Sequence, residues 1–118
     1  NYLLRGKELS KLECTKFTIT HSPSEAIKNA DVVITDVWAS MGHETEAKNR
    51  IKAFKDYQVN SELMDLAKPN AIVLHCLPAH REEEITEEVL EAHASEIFDE
   101  SENRMHAQKA VLVKLMKN

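Results

Sequence analysis

The sequence is short of the residues on which several classes of site depend. Its 118 residues include only two glycines, Gly6 and Gly42, so it contains neither a glycine-rich phosphate loop nor a dinucleotide-binding fingerprint. Basic residues are not in excess, because 15 lysines and arginines face 20 aspartates and glutamates, which argues against a nucleic-acid or anionic-membrane partner. No apolar run is long enough to span a bilayer, and the first residues lack a signal-peptide pattern.

Cysteine is also scarce. Cys14 and Cys76 stand in unrelated contexts, which favours a reducing compartment, the cytoplasm, over a disulfide scaffold. The length predicts one domain at most, with a modest core. The 42% hydrophobic and 30% charged residues are ordinary for a globular protein, so composition alone does not indicate a function.

The stretch AIVLHCLPAHR, residues 71–81, is the most informative part of the chain. Residues 71–74 are apolar and partly β-branched, which is typical of a strand buried on both faces of a parallel sheet. Two histidines, a cysteine and an arginine follow within seven residues. Ligands of open α/β sheets bind outside the carboxyl ends of the strands, so these side chains are placed for chemistry.

Strand-like and helix-like segments alternate along the chain, which predicts an α/β fold with a parallel sheet and helices on both faces. The predicted strands or extended segments are 16–20, 31–35, 71–74 and, briefly, 96–99. The predicted helices are 26–30, 44–57, 59–67, 86–92 and 102–117. The predicted helix caps are Ser22, Asn60 or Ser61, and Ser101.

A second strand end carries polar residues. Asp36 follows the predicted strand 31–35, and Ser40, Met41 and Gly42 come shortly after. Such a loop can hold an ammonium group through the carboxylate, and a carboxylate through the hydroxyl and backbone N–H groups, as an amino-acid ligand requires. The spacing alone favours the simpler alternative, a helix cap and turn.

Cys76 has several interpretations. The simplest is an inert buried thiol. A zinc site with His75 and His80 is rejected because the spacing matches no zinc pattern and a fourth ligand is missing, and we expect neither a metal nor a cofactor. A cysteine hydrolase stays possible in principle, although neither histidine can be placed against the sulfur from sequence. The Leu77–Pro78 bond lies in a tight turn, where a cis peptide is a candidate.

Arg104 is the third feature. It lies near the predicted start of the last helix, where it would add positive charge to a region already attractive to anions. By itself a solvated surface arginine is the better interpretation.

Together, DVWASMG at 36–42, HCLP at 75–78 and ENR at 102–104 with HAQKA at 106–110 resemble the ornithine carbamoyltransferases. The similarity runs from about Lys16 to the end. The joint match is highly specific, and the Ser-Met-Gly loop favours the ornithine branch over aspartate carbamoyltransferase. The resemblance implies a Rossmann-like α/β fold, with residues 1–118 as a C-terminal, ornithine-binding domain that is truncated at its N-terminus.

The resemblance also implies a reaction, the transfer of the carbamoyl group of carbamoyl phosphate to the side-chain amine of L-ornithine, giving L-citrulline and phosphate. By carry-over, Asp36, Ser40 and the Met41 backbone would bind the amino-acid end of ornithine. Cys76 and the Leu77 carbonyl would lie beside its side-chain amine and the carbamoyl group. Arg104 would polarise the carbamoyl oxygen. These implied roles make Cys76 and Arg104 the catalytic residues.

The chain departs from the family in one important respect. Nothing in it resembles the Ser-x-Arg-Thr loop of the N-terminal domain that binds carbamoyl phosphate in this family. We therefore expect the chain alone to be inactive, and to work only with that missing domain, in a homotrimer by family analogy. The alternatives left open are a non-catalytic amino-acid-binding or regulatory module, a sibling carbamoyltransferase with another amine substrate, and a thiol enzyme using Cys76.

Overall fold

The computed structural model describes the backbone of residues 2–39 and 44–117, and the side chains of the same residues except 44–46. In chain order the elements are α1 (Tyr2–Leu12), α2 (Pro23–Ile27), β1 (Val32–Thr35), α3 (Glu44–Phe54), a 3-10 turn (Lys55–Tyr57), α4 (Ser61–Met64), β2 (Ile72–His75), α5 (Glu87–Ala92) and α6 (Ala94–Met116). No helix in the described part of the chain combines the length and apolarity needed to cross a membrane.

The two strands form a small parallel sheet, which confirms the predicted α/β class. Val32 pairs with Ile72 and Thr35 with His75, so both strands end at the same level. The residues that follow, Asp36 and Cys76, therefore leave the sheet side by side. This register positions the candidate site.

The core lies on one face of the sheet. Val73 and Ile97 are fully buried there, and Val33 packs against the same cluster. The other buried members of the cluster are Val59, Ile85, Val89 and Leu90. On the opposite face Val32 and Ile34 are exposed, with 71% of Ile34 open to solvent. The expectation that residues 71–74 form a strand buried on both faces is thus wrong, because Ile72 is exposed as well and the described elements leave much of this face open.

Two of the predicted helix caps are confirmed. The side chain of Ser22 accepts from the backbone N–H of Glu25 at the start of α2, and Asn60 accepts from Leu63 at the start of α4. Thr86, where a helix was predicted to start, caps α5 in the same way. Each cap satisfies a backbone donor that has no partner inside the helix, which explains why local sequence was sufficient to find it.

Two predicted segments are wrong. Residues 16–20 form no strand, and Phe17 and Ile19 are exposed, because no neighbouring strand in the described residues offers them backbone partners. Residues 96–99 belong to α6, which begins at Ala94, so Ser101 lies inside the helix and does not cap it. Ile97 is the physical reason, since its burial in the core is achieved from a helical backbone.

Candidate functional site

The tips of the two strands meet in a thiol–carboxylate contact. The Cys76 thiol donates to Oδ1 of Asp36 over 3.5 Å, and the same oxygen accepts the Val37 backbone N–H at 2.8 Å. Asp36 is exposed and Cys76 is half-buried. The parallel register thus brings the two polar groups together at one end of the sheet.

A tight turn follows Cys76. Leu77 has a φ of 52°, in the left-handed region that few residues other than glycine adopt, and the Leu77–Pro78 peptide is cis. The backbone N–H of Leu77 donates to Nδ1 of His75 at 2.9 Å, and the Leu77 side chain packs against the core. This turn places the carbonyl groups of Cys76 and Leu77 directly after the end of β2.

Arg104 reaches the same place from α6. Its Nη1 donates to the Cys76 carbonyl oxygen over 3.5 Å. Arg104 lies seven residues, about two turns, after Ile97 on the same helix face, so the burial of Ile97 directs Arg104 toward the tip of β2. The expected position near a helix N-terminus is wrong, because α6 begins at Ala94, ten residues before Arg104.

The loop after β1 is only partly described. Ser40 and Met41, which the resemblance places on the substrate, lie outside the described residues. The segment leading to them is attached to α3, because the Trp38 carbonyl accepts from Arg50 at 3.0 Å and the Trp38 ring lies 6.3 Å from that of Phe54. Asp36, Cys76, Leu77 and Arg104 are thus brought together.

The surroundings of Cys76 favour its neutral form. Burial raises the pKa of the thiol, and Asp36 raises this pKa further through its negative charge and through the hydrogen bond that it accepts. Arg104 lowers the pKa of Cys76, whereas Glu100 raises it. Cys76 is therefore a thiol at neutral pH. This argues against a thiol enzyme, which requires an activated thiolate.

We expect Asp36→Asn to shift the alkylation of Cys76 to lower pH. Alkylation needs the thiolate, so its rate rises through the thiol pKa, and the substitution removes a group that raises this pKa. Arg104→Gln should shift the profile to higher pH. Peptide mass spectrometry after iodoacetamide treatment measures Cys76 and the exposed Cys14 separately. An unshifted profile in Asp36→Asn would contradict the thiol–carboxylate contact.

Sequence reasoning missed two parts of this region. Glu100 lies four residues before Arg104 in α6, on the same helix face, and raises the pKa of Cys76. Because residues 96–99 were predicted to be extended, this helical spacing was not recognised. The second is the contact between His75 and Glu84, two fully buried polar residues nine positions apart. A polar residue inside an apolar strand was the available signal, since such a group needs a buried partner.

Two clusters in the described residues have the composition of metal sites. The ligand atoms of Asp36, His75 and Cys76 lie within 4.8 Å of one another, as do those of His80, Glu83 and Glu84. Both ring nitrogens of His75 are already hydrogen-bonded, and one oxygen of Glu84 already accepts two hydrogen bonds. We propose a metal at neither cluster.

A separate hollow of about 430 Å³ runs along β1. Asp36 and Trp38 contribute to its wall, but its other walls are largely apolar and include Ile27, Val32 and Ile34. Cys76 and Arg104 do not line it. Its chemistry does not suit a charged amino acid, so the site is assigned to the strand tips instead.

Comparison with known proteins identifies the family to which the chain is similar. Residues 4–115 match the family model described as aspartate/ornithine carbamoyltransferase, Asp/Orn binding domain. The ornithine carbamoyltransferase of Carboxydothermus hydrogenoformans is 55% identical over 114 residues, which cover 97% of this chain and 36% of that protein. The chain therefore spans about a third of the length of the relatives it matches.

Solved structures give the same result. The anabolic ornithine carbamoyltransferase of Campylobacter jejuni superposes with a TM-score of 0.86 at 41% identity, over 92% of this chain and 36% of that one. An N-acetyl-L-ornithine transcarbamylase superposes with a TM-score of 0.74 at 27% identity, over 93% of this chain and 34% of that one. Both the sequence and the fold of this chain are thus closer to the former protein than to the latter.

Proposed function

The chain belongs to the aspartate/ornithine carbamoyltransferase family, and we propose that it forms the ornithine-binding domain of an ornithine carbamoyltransferase. The complete enzyme would transfer the carbamoyl group of carbamoyl phosphate to the side-chain amine of L-ornithine, giving L-citrulline and phosphate. The observation that carries the proposal is the 3.5 Å contact between Asp36 and Cys76 at neighbouring strand ends. It unites two of the family motifs in one place.

The charges favour ornithine over an acidic amino acid. Asp36 would accept the α-ammonium group of the substrate, with Ser40 and the Met41 backbone on its carboxylate. The side chain of the substrate would then lie beside Cys76 and the Leu77 carbonyl, which accept hydrogen bonds. An amine fits these acceptors, whereas the side-chain carboxylate of aspartate would face acceptors, with Arg104 as the nearby donor.

The attacking amine must be uncharged, and the neutral state of Cys76 serves this requirement. A thiolate there would stabilise the ammonium form of the side chain and oppose its deprotonation. The raised pKa of Cys76 avoids this additional negative charge. The thiol and the Leu77 carbonyl can then orient the amine toward the carbamoyl carbon.

Arg104 would act on the other reactant. Its guanidinium lies against the Cys76 carbonyl, next to the expected position of the side-chain amine. As the amine attacks, negative charge develops on the carbamoyl oxygen. A guanidinium placed there stabilises the transition state more than the substrate, and so lowers the barrier.

Carbamoyl phosphate needs a further binding domain. The chain spans about a third of the relatives it matches, and we propose that the phosphate is held by a carbamoyl-phosphate-binding domain in a homotrimeric enzyme. We place this enzyme in the cytoplasm. The two cysteines stand in unrelated sequence contexts, which supports a reducing compartment.

Steady-state assays test the proposal. The assembled enzyme, with both domains, should form citrulline from ornithine and carbamoyl phosphate, and should not carbamoylate N-acetyl-ornithine. The 118-residue chain alone should form no citrulline. Turnover by the chain alone would refute the requirement for a second domain. A preference for N-acetyl-ornithine would favour a sibling transferase. Calorimetric binding of ornithine by an assembled but inactive protein would favour a non-catalytic module.

A further inference from the structure

Directly beneath the strand tips lies a buried polar pair that the proposed reaction does not use. Nε2 of His75 and Oε1 of Glu84 are 3.0 Å apart, and both side chains are completely inaccessible to solvent. Burying two polar side chains is costly unless their hydrogen bonds are made. Both side chains make such hydrogen bonds, and these connect the pair to the turn that follows β2.

The hydrogen bonds fix the tautomer of His75. The backbone N–H of Leu77 donates to Nδ1 at 2.9 Å, so Nδ1 presents its lone pair and carries no proton. The proton of the neutral ring is then on Nε2, which donates it to Glu84. Both ring nitrogens are used inside the turn, so His75 is not free to act as a base toward the Cys76 sulfur.

Glu84 also closes the far end of the turn. Its Oε1 accepts the backbone N–H of His80 at 2.7 Å, in addition to the proton of His75. Its second oxygen, Oε2, is buried and has no hydrogen-bond partner among the described residues. One oxygen atom thus connects β2 to the segment that follows the Leu77–Pro78 turn.

We propose that His75 and Glu84 are positioning residues that set the direction of the Cys76 and Leu77 carbonyls toward the ornithine amine. Leu77 adopts a left-handed backbone that costs energy for a residue with a side chain, and it persists only when its surroundings determine it. The hydrogen bond from the Leu77 N–H to His75 holds Leu77 in this conformation. The hydrogen bond to Glu84 in turn holds the His75 ring in place. The inference rests on the proposed function, since the amine is that of the proposed substrate.

Substitutions at Glu84 separate hydrogen bonding from charge. Glu84→Gln retains an oxygen that can replace Oε1, and its amide nitrogen takes the place of the unpartnered Oε2. We expect its ornithine KM to stay within about twofold of the wild type, because both hydrogen bonds are kept. Glu84→Leu leaves the His75 and His80 donors unpaired, and should raise the ornithine KM about tenfold or more. The KM for carbamoyl phosphate should change little in both variants.

A second pair of variants divides positioning from stability. In His75→Asn the amide oxygen can replace Nδ1 and accept the Leu77 N–H, but the side chain does not reach Glu84. We expect a lower melting temperature with an ornithine KM close to that of the wild type. His75→Leu loses both contacts, so its ornithine KM should rise as in Glu84→Leu. A purely structural role would lower the active fraction and leave KM unchanged.

Two readouts do not depend on activity. In the assembled wild type, the nitrogen chemical shifts of His75 should report a proton on Nε2. Hydrogen exchange at the Leu77 amide should accelerate in His75→Leu and not in Glu84→Gln. A proton on Nδ1, or equal damage by Glu84→Gln and Glu84→Leu, would overturn the inference. Failure of the wild type to form citrulline would instead refute the proposed function, and the two readouts would still test the positioning.

Discussion

Arg104→Gln should lower kcat for citrulline formation in the assembled enzyme by about 10²–10³-fold, the usual loss when one preorganised oxyanion donor is removed. The donor acts on charge that develops only as the amine attacks. The KM for ornithine should therefore change much less than kcat. Steady-state assays with each substrate varied in turn measure both parameters.

A surface arginine provides the matched control. Arg81 pairs with Glu87 and Glu91 on α5, and its side chain is half exposed. Exposed ion pairs contribute little, so Arg81→Gln should leave kcat unchanged. An equal loss of kcat in the two variants would show that Arg104 has no specific part in the reaction.

Asp36→Asn should raise the KM for ornithine by about 10- to 100-fold, because it removes the charge of a charge-assisted hydrogen bond to the α-ammonium group. The KM for carbamoyl phosphate should stay close to the wild-type value, since that substrate does not contact Asp36 in the proposed site. Measuring kcat/KM for each substrate gives the contrast directly.

Asp31 offers the comparison for this second substitution. It precedes β1 at the opposite end of the same strand and pairs with Lys68 at 2.7 Å on the surface. Asp31→Asn should leave both KM values unchanged. If Asp36→Asn raised the KM for carbamoyl phosphate as much as the KM for ornithine, the assignment of Asp36 to the amino-acid substrate would be wrong.

The meeting of Asp36 and Cys76 could be predicted from the sequence. Each follows an apolar run that is typical of a strand, and parallel neighbours end at one edge of a sheet. The cap residues Ser22 and Asn60 were equally predictable. Their effect is local, because the capping oxygen and the donor it satisfies lie within one turn.

What could not be predicted depends on contacts between distant segments. The start of α6 is set by the burial of Ile97 against Val73, which overrides the local signal of Ser101 as a cap. The β-branched run at 16–20 satisfies the propensity of a strand but lacks a neighbour in the described chain. The pairing of His75 with Glu84 joins residues on either side of an irregular turn, so no periodic sequence pattern predicts it.

A crystal structure of the assembled enzyme with L-ornithine and an unreactive carbamoyl phosphate analogue tests the proposed ornithine site at the two strand ends most directly. We predict the α-ammonium nitrogen within hydrogen-bond distance of Asp36, the side-chain nitrogen beside Cys76 and the Leu77 carbonyl, and Arg104 on the oxygen that mimics the carbamoyl oxygen. Ornithine bound in the apolar hollow along β1, or with its side-chain nitrogen directed away from Cys76, would contradict this account.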